Sequence, residues 1–67
     1  MFLIACIDKG TGVEIGWFAA FTTEVEQVQV TRTRNNAFRY KAESDALAAR
    51  DMAAQIAPKR IWKVVAA

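Results

Sequence analysis

The sequence predicts an α+β domain: a three- to four-stranded, mostly antiparallel β-meander with one α-helix packed on one face and a C-terminal strand, in the order β-β-β-α-β. Three observations carry this. Bulky apolar and β-branched residues gather in short runs in the first 31 residues and again after Arg60. An alanine-rich stretch separates those runs, and Gly10 and Gly12 stand between the first two of them.

With 67 residues, the chain makes one domain, 1–67, near the lower limit for independent folding. Its single Cys6 has no intramolecular partner and lies in an apolar run, so it reads as a small buried hydrophobe in a reducing, cytoplasmic setting. The apolar run Phe2 to Ile7 is too short to span a bilayer and follows no charged leader, so a soluble chain with no membrane partner is expected. A net charge of +2 and a pI near 9.0 permit nucleic-acid contact without requiring it.

Met1 to Asp8 forms the first strand. Its two faces, Leu3, Ala5, Ile7 and Phe2, Ile4, Cys6, are both apolar, which places it in the middle of a sheet. Lys9-Gly10-Thr11-Gly12 supplies a tight hairpin, and a second strand runs from about Val13 to Phe21. Val13, Ile15, Trp17, Ala19 and Phe21 alternate onto one face of it, leaving Phe18 on the other. A single helix shields one side of a sheet. Phe18, with Phe2, Ile4 or Cys6, therefore either forms an exposed patch for a partner or a second copy, or lies under a loop.

From Thr22 to Thr33 two patterns compete. Thr23 and Glu26 have the spacing of a capping box, but Val28 and Val30 alternate with Gln27, Gln29 and Thr31, and the strand pattern prevails from about Glu24 to Thr31. The polar second face marks a solvated outer strand. Arg34-Asn35-Asn36-Ala37 breaks the pattern as a turn, and Phe38 and Tyr40 follow in a short extended piece.

Glu43 to Ala57 is rich in helix formers and stops before Pro58, which disfavours helical geometry in the residue preceding it. Ala46, Ala49, Ala53, Ile56 and Ala57 share a face, opposite Ser44, Asp51 and Gln55. The small face lets the helix approach large strand residues closely. Glu43 and Asp45 set negative charge at the positive end of its dipole. The last strand, Ile61 to Ala66, is expected beside the first.

Histidine is absent, which excludes His-based triads, His metal sites and His acid–base catalysis. Ser44, the only serine, stands at the helix start, where a cap or first-turn role fits better than nucleophilic attack. Asp8, Glu14, Glu24 and Glu26 read as solvated charge rather than a catalytic carboxylate pair. No enzyme activity, cofactor or metal is expected. Arg50, at the border of the alanine face, is expected to lay its stem over apolar surface and reach a carboxylate.

Ile7-Asp8-Lys9-Gly10-Thr11-Gly12 resembles the first phosphate loop of the actin and Hsp70-like ATPases. Those enclose nucleotide between two large lobes, and in so short a chain the same residues describe a glycine turn.

The strongest functional feature is Arg32 to Lys41, where Arg32, Arg34, Arg39 and Lys41 interleave with Phe38 and Tyr40. Such a loop can pair with phosphates and stack bases, or its aromatics can anchor it while the cations solvate it.

The run from Ala37 through Tyr40 to Ala46, with Ala49, Ala53 and Arg60-Ile61-Trp62-Lys63-Val64-Val65, resembles small phage and prophage accessory proteins of the anti-CRISPR-like inhibitor type. The resemblance covers the second half and is compositional. It implies stoichiometric binding to a protein or nucleoprotein target without chemistry, and carries over no site. Binding to such a target is expected through the sheet's open face or an edge strand, with Phe18, Arg32, Arg34 and Arg39 as the contact residues. The alternatives are a small nucleic-acid-binding module using loop 32–41 and a homodimeric structural domain.

Overall fold

The computed structural model describes residues 1–22 and 27–67. It contains strands β1 (Phe2–Asp8), β2 (Glu14–Thr22), β3 (Gln27–Thr31) and β4 (Arg60–Ala66), and one helix, α1 (Glu43–Ile56), which follows β3. The strands form one open sheet of order β3-β2-β1-β4 with every neighbouring pair antiparallel. This is the α+β arrangement the sequence predicts, with β4 beside β1. The expected start of the third strand at Glu24, the Thr23–Glu26 capping box and the two glutamates lie outside the described residues.

β1 is central because both its faces are apolar, and Leu3, Ile4, Ala5 and Cys6 are all buried. The β1–β2 hairpin closes through the Asp8 amide donating to the Val13 carbonyl at 2.9 Å and the Gly12 amide donating to the Asp8 carbonyl at 2.8 Å. Gly12 has φ of 73°, a conformation open to glycine at little cost. The Asp8 carboxylate accepts from the Thr11 amide and hydroxyl, each at 2.9 Å. The phosphate-loop look-alike is thus a turn closed on its own aspartate.

Two bulges change which side chains share a face. Cys6 pairs with Gly16 and Ile7 with Glu14, so Ile15 is an extra residue. Phe18 pairs with Val30 and Ala20 with Gln29, so Ala19 is another. An inserted residue reverses the alternation beyond it, and Phe21 joins Phe18 rather than Trp17.

The expected faces are corrected accordingly. Phe18 does not lie away from the helix: it is 2% exposed, in a helix-side cluster with Ile4, Cys6, Ala49, Ala53 and Trp62. Trp17 packs on the opposite side with Leu3, Ala5 and Ala37. The physical reason lies in β1: with both faces apolar, composition cannot say which of them the helix takes. Burying the Phe18 ring contributes about 2–3 kcal/mol, a large share of the stability of so small a domain.

α1 begins after Ala42, which offers no side-chain cap, while Ser44 is exposed in the first turn. Its buried residues are Ala46, Ala49 and Ala53, and it packs chiefly on β4 and then β1. The C-terminal end is stitched to β4 by the Trp62 indole N–H, which donates to the Ala57 carbonyl at 3.2 Å.

Candidate functional site: the free edge of β4 and the aromatic wedge

Between β3 and α1 the chain passes from one face of the sheet to the other. A 3-10 turn at Arg34–Asn36 lies over the face that α1 leaves open, and Ala37 is buried there against Leu3, Ala5 and Trp17. The Phe38 amide donates to the Phe18 carbonyl at 3.0 Å, and Tyr40 exchanges two bonds with Phe2, at 2.8 and 2.9 Å. The ladder of Ala5 with Trp17, continued, would set Phe2 opposite Ala20. Residues 38–40 take that place instead, wedged between β1 and β2. Tyr40 then emerges on the helix side, where its ring lies 6.3 Å from that of Phe18 and 4.6 Å from that of Phe38. Burial and the nearby Asp45 carboxylate raise the Tyr40 pKa above its ordinary value.

The four residues expected at a partner site do not converge. Phe18 is in the core. The Arg34 guanidinium stacks over the Trp17 ring at 5.1 Å and donates to the Ala66 carbonyl at 3.3 Å, binding the loop across the sheet. Arg39 donates to the Asn35 carbonyl at 3.3 Å, inside its own loop, and Arg32 is exposed. The aromatics divide between the two expected roles: Tyr40 is half-buried and packs against the helix-side cluster, whereas Phe38 is 49% exposed. Arg50 meets its expected carboxylate, Asp51, at 2.9 Å.

A different surface assembles at the other end of the sheet order. Phe2 exchanges backbone bonds with Tyr40, so its N–H and C=O point away from β4. Phe2 faces Ala66 in the β1–β4 ladder, which makes that a non-hydrogen-bonded pair, and Ile4 with Val64 and Cys6 with Trp62 repeat its character at intervals of two. The outward carbonyl of Ala66 is where Arg34 donates, as this parity requires. The backbone groups of Trp62 and Val64 therefore point outward along the free edge of β4.

Along that edge runs a groove of about 410 Å³ lined by β4 from Ile61 to Ala66 together with Phe2, and by Glu43, Leu47 and Arg50 of α1. An edge strand with unpaired amides next to a helix is the geometry that receives an added strand. A second groove is lined by Gln27, Val28, Ile56 and Trp62 among others. Sequence reasoning named an edge strand without saying which, because the choice of β4 rests on ladder parity, which the Phe2–Tyr40 bridge and the Ala67 amide bond to the Met1 carbonyl reveal.

Among the described residues no group of three or more His, Cys, Asp or Glu converges, and no helix is long and apolar enough to cross a membrane. Cys6 is buried and its Sγ lies 3.8 Å from Arg60 Nη1; burial raises its pKa, against the lowering effect of that arginine. Comparison with family models, curated proteins and solved structures finds no match.

Proposed function

We propose that this chain works without catalysis, by stoichiometric binding to a protein partner that it grips along β4. The observation that carries the reading is the outward-pointing backbone of Trp62 and Val64 beside the α1 groove. Main-chain hydrogen bonds supply affinity in such an arrangement, and the groove selects side chains. The inhibitory role implied by the likeness to phage accessory proteins is the form of this reading in which the captured segment is one the partner needs for its own work.

Selection of short peptides from a random displayed library tests the edge. Ligands should shift the amide resonances of Trp62 and Val64 on titration, and Val64→Pro, which removes an outward N–H, should abolish binding while the rest of the spectrum stays native. Ligands that shift loop 32–41 instead, or no ligands at all, would overturn it.

A second reading, a nucleic-acid-binding module, is favoured by the half-exposed Phe38 ring beside Arg39 and Lys41. Titration with single- and double-stranded oligonucleotides at two salt concentrations separates the two. Salt-sensitive binding lost in Arg32→Ala/Arg39→Ala supports the module, and none at low salt removes it.

A further inference from the structure

We propose that the segment added to β4 carries a carboxylate opposite Lys63 with β-branched or apolar residues on both sides of it, and that it belongs to another protein rather than to a second copy of this chain. This deepens the edge reading above and rests on it.

The alternation of β4 sets the chemistry. Trp62 and Val64 face α1, while Ile61, Lys63 and Val65 face the other side of the sheet. A strand laid along β4 continues both rows. On the far face it meets a cation between two apolar residues, and on the helix side it meets the groove under Leu47. Lys63 is exposed, its cross-strand neighbour on β1 is Ala5, and among the described residues the one ion pair is Arg50 with Asp51. Lys63 is thus an unpaired cation in mid-strand. Opposite charges directly across a ladder stabilise it and like charges weaken it.

That rule also decides against self-pairing. An antiparallel pair of β4 strands that uses all residues from Arg60 to Ala66 has its two-fold axis at Lys63, and sets Lys63 against Lys63 of the second copy. Trp62 would face Val64 there and the backbone would fit, but the ladder would centre on a repulsion. Registers that avoid it give up part of the strand. The complementary occupant alternates in the same way with the charge reversed.

The test uses three blocked peptides, Ser-Thr-Val-Xaa-Val-Thr-Ser with Glu, Gln or Lys at Xaa, titrated into the full chain while amide shifts and sedimentation are followed. The Glu peptide should bind about threefold more tightly than the Gln peptide and about tenfold more tightly than the Lys peptide, moving Trp62 and Val64. Lys63→Glu should reverse the order and Lys63→Gln should flatten it. Equal affinities for the three peptides that also shift Trp62 and Val64 would overturn the carboxylate while leaving the edge in place. No shift at those amides with any peptide would overturn both. A concentration-dependent doubling of mass that Val64→Pro abolishes would assign the edge to a second copy instead.

Discussion

The Arg34 guanidinium lies 5.1 Å from the Trp17 ring centroid, stacked on the sheet face opposite α1. One side chain from the loop thereby reaches from β2 to the Ala66 carbonyl at the end of β4, crossing over β1. It covers an apolar face and caps an outward-pointing carbonyl. Arg34→Ala removes both contacts and should destabilise the domain by about 1–2 kcal/mol in urea denaturation, with a shift of the Trp17 indole N–H resonance. Arg34→Lys, which keeps charge but not the planar stacked group, should recover less than half of the loss.

Gly16 stands where β2 meets the end of β3. A Cβ added there would come 2.5 Å from Val30 Cγ1 and 2.8 Å from the Thr31 carbonyl oxygen, and the latter is backbone that cannot turn aside. Gly16→Ala should therefore cost about 1–3 kcal/mol and weaken protection of the β3 amides in hydrogen exchange. Gly10 is the control. A Cβ there meets only Asp8 Oδ2, at 3.5 Å, so Gly10→Ala should leave the unfolding free energy within about 0.5 kcal/mol of the native value.

The features legible in the sequence are those that composition reports directly. An apolar pattern on both faces made β1 central, the glycines placed the first hairpin, and Pro58 marked the end of the helix, expected at Ala57 and found one residue earlier at Ile56. The rest depends on backbone fit. Ile15 and Ala19 look like ordinary members of an alternating strand, yet each is the extra residue that turns its successors over. Ala37 is small and sits in a polar loop, so nothing in its type foretells burial. The wedge at residues 38–40 replaces pairing that β1 and β2 would otherwise make. Arg34 was visible as a cation, but its stacking on Trp17 needed the corrected face.

Cys6 is fully buried and its thiol is held above its ordinary pKa of 9.0 by desolvation. The native protein should resist a thiol reagent such as Ellman's and react at a rate that rises with urea in step with unfolding. The sign for stability follows. A group whose folded pKa is raised gives a contribution that is whole below the unfolded value and is lost as pH rises through the folded one. Unfolding free energy should therefore begin to fall near pH 9, with Tyr40 adding to the loss above about pH 10. Cys6→Ala should flatten the first part of that decline. An unchanged slope in the variant would exclude the thiol as its source.

Asp8 answers at the other end of the scale. The Thr11 amide and hydroxyl both donate to its carboxylate, and these two bonds hold its pKa below the ordinary 3.8, with Arg60 adding a smaller pull in the same direction. A folded pKa below the unfolded one means that the ionised form favours folding above the unfolded value. The contribution is lost as pH falls through the folded pKa. Stability should thus decline on acidification below about pH 4, and the carboxyl carbon resonance of Asp8 should titrate below that of the unfolded chain. Thr11→Val removes the hydroxyl donor and keeps the amide, so the Asp8 midpoint should move part of the way back toward 3.8. An Asp8 midpoint that stays in place in Thr11→Val would show that the hydroxyl has no part in the shift.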